Sequence, residues 1–336
     1  MFSIERWMKE LSDTFKQHDK RIATVERREE TRHDAIAIGG KDVSTNTSYT
    51  NQILVLQGGE WTPVYVGSVL NISSFAEGRL SLTTNVPITI SVTGATTLYY
   101  TRYVGNNIAL LNGTVWELHS IAEQSISLAG LTANTNYDVF IYLSSGFPTL
   151  AVTAWSSDTA RATGISLYDG VYVKTGTITQ RYLGTIRVNA AGGQVDDNYL
   201  VRGVWNMYNR VPRPLYLYDT TSHTYNTGAW RSWNNSTTVR VGFVVGEIST
   251  ISASVTSLFD PGADNVLSAV AIGLSSTSTP NTYVGTLYNY NIYKVGGGTE
   301  GNIPVAAGYY YLQALEYGNA TPANHDRVAI KGSVLG

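Results

Sequence analysis

Cysteine is absent from the 336 residues, which excludes disulfides and thiolate-bound metals. If the protein works outside a cell, its stability must come from burial and assembly rather than from cross-links. Charge is scarce as well. Asp, Glu, Lys and Arg make up 14% of the chain, against about 25% in an average globular protein. The formal net charge is only −2, so there is no broad basic face of the kind nucleic acid demands. No apolar run approaches the ~18 residues of a membrane helix, and no membrane insertion is expected. The opening Met1-Phe2-Ser3-Ile4-Glu5-Arg6-Trp7 has no uninterrupted apolar core. A signal peptide is therefore not expected, and synthesis in a cytoplasm is.

What fills the gap is Gly, Ser, Thr, Asn and Tyr, with 32 Gly and 23 Tyr, at an ordinary hydrophobic content of 43%. Such a mixture suits many short strands joined by tight turns. The length allows two or three domains.

The few charges are concentrated. Residues 1–35 hold 16 of the 48, eight of each sign. Within this segment Ile4, Met8, Leu11, Phe15, His18, Ile22 and Val25 step by alternating fours and threes. That is a period of 3.5, the seam of a left-handed coiled coil. The remaining faces are charged, so such a helix has little to bury except copies of itself. A monomeric helix docked on the rest of the chain is the competing reading. Gly39-Gly40 is a helix stop.

After Ile53 the helical period disappears. Short β-prone runs alternate with turn clusters about every 8–12 residues, an all-β signature. Leu56-Gln-Gly-Gly-Glu-Trp61 and Leu111-Asn-Gly-Thr-Val-Trp116 each read as a strand, a Gly turn and a Trp on the return strand. Asp169-Gly170 and Gly192-Gly193 are further turn signals. Leu131 and Tyr137, six residues apart before Val139 and Ile141, are similar to the tyrosine corner of immunoglobulin-like sandwiches. Pro212 and Pro214 forbid a central strand, which places a domain boundary at 213–214. About eight strands are expected after it, enough for a sandwich or jelly roll.

The run Trp205-Asn-Met-Tyr-Asn-Arg-Val-Pro-Arg-Pro214 resembles a sequence found in virion proteins of tailed bacteriophages. Gly78-Arg-Leu-Ser-Leu-Thr83, Leu98-Tyr-Tyr-Thr-Arg-Tyr-Val-Gly-Asn106 and Arg181-Tyr-Leu-Gly-Thr185 are similar to the same group. The resemblance spans residues 78–270. It implies a virion component of the tail-fibre or head-fibre type, and it brings no catalytic residues.

Catalytic constellations are hard to find. There is no Gly-x-Ser-x-Gly elbow and no Cys nucleophile. His119, His223 and His325 stand apart in sequence with no His-x-x-x-His pair. No catalytic group, metal or cofactor is expected. The carboxylates a glycosidase would pair are sparse; Asp196 and Asp197 are adjacent and read as a turn. Aromatic and amide residues gather late in the chain instead. Trp230, Trp233, Tyr288 and Tyr290 lie among Asn226, Asn234, Asn235, Asn289 and Asn291. Flat rings beside amides suit sugars, although Tyr is also a good strand former that packs at interfaces.

These readings give a mainly β protein: an N-terminal coiled coil over 1–38, a β domain over 39–213 and a C-terminal sandwich over 214–336. The expected state is a homotrimer. The expected location is the virion, after assembly in the host cytoplasm, as a tail fibre. Its helix would bind a tail or capsid protein, and Trp230, Trp233, Tyr288 and Tyr290 would bind a host-surface glycan or protein. A head fibre or capsid decoration protein, and a glycan-degrading tailspike, are the alternatives.

Overall fold

The computed structural model describes residues 8–17, 37–38, 41–42, 52–65, 72–260, 267–289, 294–319 and 323–336. The chain divides into two units, Met1–Leu70 and Asn71–Gly336.

In the first unit, residues 8–17 are α-helical. Met8, Leu11 and Phe15 are 58%, 41% and 64% exposed. The other seam positions, Ile4, His18, Ile22 and Val25, lie outside the described residues. Strands Gln52–Gln57 and Glu60–Tyr65 form the expected hairpin, with Leu56 directly opposite Trp61. Gly58 and Gly59 supply its turn at φ 60° and 94°, a conformation that costs glycine nothing.

The second unit is mainly β. The hairpin Asn107–Leu111 with Trp116–Ser120 again sets Leu111 opposite Trp116. Asp169 and Gly170 have φ 49° and 76°, the two-residue turn that the twist of a hairpin favours. The Tyr137 hydroxyl accepts a hydrogen bond from the Thr132 N–H at 2.9 Å, so the tyrosine corner is present.

Among the described residues, two sheets face each other in the C-terminal half. The wider runs Thr286–Asn289, Ser268–Leu274, Gly308–Tyr317, Arg240–Val245, Val201–Arg202, Val195–Asp197 and Val92–Ala95, with Arg231–Ser232 also paired to Gly308–Tyr317. The longer-stranded one runs Pro212–Asp219, Ala323–Leu335, Ser249–Asp260 and Val295–Val305, with His223–Tyr225 paired to Ala323–Leu335. Ile251, Val255, Phe259, Val328 and Ile330 of one sheet meet Phe243, Val245, Val270, Ile272 and Leu312 of the other in a single core. Strict alternation along Ser249–Asp260, with odd-numbered residues inside, follows from the period-two geometry of a half-buried strand. A second core, centred on Leu80, Leu98, Ile108, Val139, Ile141 and Ile186, lies under the sheets of residues 78–206.

The boundary expected at 213–214 falls inside a strand, because Pro212–Asp219 pairs continuously with Ala323–Leu335. The prolines are tolerated because this strand lies at the end of its sheet. The two halves are also interleaved. Phe140, Tyr182 and Trp205 belong to the C-terminal core, and Val201–Arg202 pairs in parallel with Arg240–Val245. No described helix is long and apolar enough to cross a membrane.

Candidate functional site

The Trp205–Pro214 run is structural chemistry. Trp205 is fully buried. Asn206 and Asn209 turn their amides toward the backbone of the strand Gly78–Ser81 and the residues before it: Asn209 Nδ2 donates to the carbonyls of Ala76 and Gly78 at 2.7 and 3.0 Å. Val211 and Gly336 exchange two backbone hydrogen bonds. Arg213 is paired with Asp197, and Arg202 lies 3.6 Å from the same carboxylate. Asp196 and Asp197 therefore sit in a strand, Val195–Asp197, and not in a turn. Asp196 accepts from the Gly94 N–H at 2.7 Å. The desolvation that comes with burial raises the Asp197 carboxyl above its ordinary value, against the pull of Arg213 and Arg202.

The aromatic candidates separate. Trp233 opens a short 3-10 turn, Trp233–Asn235, and is 0% exposed. It packs on Phe259 with ring centroids 6.4 Å apart and offers no face to a ligand. The adjacent Asn234 and Asn235, both at positive φ, turn the chain so that the indole points inward. Trp230 is half-buried against Tyr317, centroids 5.3 Å apart. Tyr288 is 50% exposed. Tyr290 lies outside the described residues. Tyr309, Tyr310 and Tyr311 are used internally: Arg187 lies over Tyr309, Phe243 against Tyr310 and Arg240 over Tyr311.

The outer face of the long-stranded sheet offers the more open surface. Ser252, Ser254 and Thr256 form its floor with Gly296 and Gly298, and two shallow troughs of about 500 and 430 Å3 lie along it. Glu300, Asn302, Lys331 and Arg327 line them. Tyr216 and Tyr218 stand along one edge, 42% and 47% exposed. Tyr216 is directly opposite Lys331, and Arg327 donates to the Tyr218 hydroxyl at 3.3 Å. Small side chains leave the floor flat, while rings and charged groups rise at its margins. Only alternation with Leu215 and Leu217 marks Tyr216 and Tyr218 in the sequence, a pattern common to half-buried strands.

A third constellation is buried between the two facing sheets. His223 and His325 are directly opposite each other on adjacent strands, so their rings share one face. They stack at 5.4 Å, 28° apart. Glu316 reaches them from the other sheet. Its Oε2 is bonded to His223 Nε2 and lies 3.3 Å from His325 Nδ1. Its Oε1 accepts from Arg231 Nε at 2.7 Å and from the Asn234 N–H at 3.1 Å. Glu316 and His325 are both 0% exposed, and burial pushes the His325 imidazole down to about 4, so it is neutral near pH 7. The three donor atoms lie within 4.8 Å of one another. Histidines isolated in sequence are thus brought together. Their 102-residue separation along the chain hid the cluster, with Glu316 closing it across the core.

No family model and no curated protein matches the chain. Among solved structures, the chain is similar to infectious bursal disease virus, Gx strain, at 11% identity and TM-score 0.26, covering 75% of this chain and 73% of that one. Particles with T=1 symmetry derived from the same virus give 10% identity and TM-score 0.28 over 77% and 66%. The mosquito-larvicidal Cry4Aa toxin from Bacillus thuringiensis gives 8% identity and TM-score 0.21 over 77% and 51%.

Proposed function

We propose that this chain is a non-enzymatic structural subunit of a virion appendage. It self-associates through its N-terminal helix and presents the outer face of its C-terminal sheet to a host-surface glycan. The observation that carries the reading is the exposure of Met8, Leu11 and Phe15 on one helical stripe. Three large apolar side chains spaced by three and four, with charged residues between them, are what a coiled-coil seam leaves open in a single chain. The resemblance of residues 78–270 to tailed-phage virion proteins supports the setting.

Presentation of sugars rests on the troughs beside Tyr216 and Tyr218. Exposed tyrosine rings can stack on pyranose faces while Glu300, Asn302, Lys331 and Arg327 bond hydroxyls. Several weak sites on one axis, repeated over many appendages, would add through avidity rather than through individual affinity.

The mass of the full chain in solution, compared with that of a chain lacking residues 1–38, tests the reading. A trimer that falls to a monomer on deletion is expected. A full chain that is monomeric at micromolar concentration would sink it. Release of reducing ends from host polysaccharide would replace it with an enzymatic one.

A further inference from the structure

We infer that His223, Glu316 and His325 form a structural site for a borderline first-row divalent cation, zinc above all, that pins the two facing sheets together. The cluster has the donor set of such a site: two imidazole nitrogens and one carboxylate oxygen, N, N and O, with no cysteine anywhere in the chain. Imidazole-rich sets select zinc and its neighbours, whereas magnesium and calcium take all-oxygen shells. The donors converge from three strands of two sheets, so one ion would bridge the sheets at this point.

The partners of each ligand fit. His223 Nδ1 lies 3.4 Å from the Thr221 carbonyl oxygen, an outer partner that can hold the ring once Nε2, the atom that faces Glu316, exchanges its proton for the ion. The Glu316 carboxylate is divided: Oε1 is held by Arg231 and the Asn234 N–H, and Oε2 faces the two histidines. Such outer partners orient metal ligands. Trp233 and Phe259 meet the His325 ring edge to face, centroids 5.4 and 5.0 Å away, and complete an aromatic wall that fixes its rotamer.

The observation that points to an ion is His325 itself. It is 0% exposed, yet neither ring nitrogen has a hydrogen-bond partner. Nδ1 lies 3.3 Å from Oε2 but outside hydrogen-bonding geometry. A buried imidazole with both nitrogens unsatisfied is expensive. A cation held between Nδ1 and Oε2 gives that nitrogen a partner. Three protein donors leave one position of a tetrahedral shell open to a further ligand. Arg231, engaged with Oε1 alone, opposes the ion only through space and from a side chain that is 31% exposed.

The test uses the full chain without a histidine tag, stripped with a chelator and then titrated with zinc, cobalt or magnesium. Elemental analysis is expected to find one zinc per chain. Zinc at about a hundredfold over its Kd raises Tm by about 4 °C or more, and magnesium does not. Cobalt(II) gives the intense visible bands of a four-coordinate ion. His223→Gln, at the more accessible ligand, weakens zinc binding by more than about tenfold while leaving the chelator-stripped Tm near that of the wild type. A wild-type chain that retains no zinc and shows no zinc-dependent Tm overturns the inference. So does full zinc binding in His223→Gln.

Discussion

Asn206 completes a strand from the side: its Oδ1 accepts the Leu80 N–H at 2.6 Å and its Nδ2 donates to the Leu80 carbonyl at 3.3 Å. One side-chain amide thus satisfies both backbone groups of a buried residue 126 positions earlier. The neighbouring Gly184 is required by the same packing, since a Cβ there would lie 2.1 Å from the Trp205 carbonyl oxygen. Asn206→Ala strands two buried backbone groups and is expected to cost about 2–4 kcal/mol. Urea unfolding measures it; a loss under 1 kcal/mol would mean that water takes over the two bonds.

Arg161 joins the two halves of the second unit. It grips Asp138 through Nε at 2.6 Å and Nη2 at 3.3 Å, and donates to the Gly246 carbonyl at 2.6 Å. Its guanidinium lies 4.5 Å from the Trp155 ring centre. Arg161→Ala leaves Asp138 buried and is expected to cost about 3–5 kcal/mol. Lysine lacks the planar fork and recovers only part of that. Equal stability of the lysine variant and the wild type would show that charge alone matters.

Asp197 makes a pH prediction. Burial raises its carboxyl above the ordinary 3.8, so between 3.8 and the folded value the folded chain holds a proton that the unfolded chain has released. The resulting stabilisation is full below 3.8 and is lost as pH rises through the folded value. Asp197→Asn removes it. The wild-type minus variant difference in unfolding free energy should therefore grow on acidification and level off below 3.8. A difference that shrinks instead would show that Arg213 and Arg202 outweigh burial.

Trp233 and the outer-face tyrosines should separate stability from binding. Trp233→Ala empties a buried site and is expected to cost about 3–5 kcal/mol. Tyr216→Ala and Tyr218→Ala, at exposed positions, should leave Tm within about 2 °C and lower binding to host polysaccharide. Unchanged polysaccharide binding in the tyrosine double variant would remove the outer face from the proposed site.

The helical seam carries its own test. Leu11→Glu or Phe15→Glu places a charge in the stripe and should lower the solution mass to that of one chain at micromolar concentration, with an unchanged β-sheet circular dichroism signal. A multimer that survives both substitutions would assign assembly to the β unit.

The legible features were the local ones. The hairpins at Leu56–Trp61 and Leu111–Trp116, the Asp169-Gly170 turn and the Tyr137 corner are each written within about ten residues, because turn chemistry fixes them. Partners far apart in sequence were not legible. Nothing near Leu80 announces Asn206, and nothing near His223 announces Glu316 or His325. Trp233 misled because the asparagines after it suggest an exposed polar surface, whereas their positive φ values reverse the chain and bury the ring. The prolines at 212 and 214 suggest a boundary between domains, and they mark the edge of a sheet.

Because the strand Pro212–Asp219 is stitched to Ala323–Leu335 and leads directly into the exposed segment 220–222, cutting the chain there would not part it. A protease acting at Thr220–Ser222 would yield two bands on a denaturing gel but one peak on a sizing column. Neither piece, made alone, would hold its shape, because each supplies strands and core residues that the other encloses.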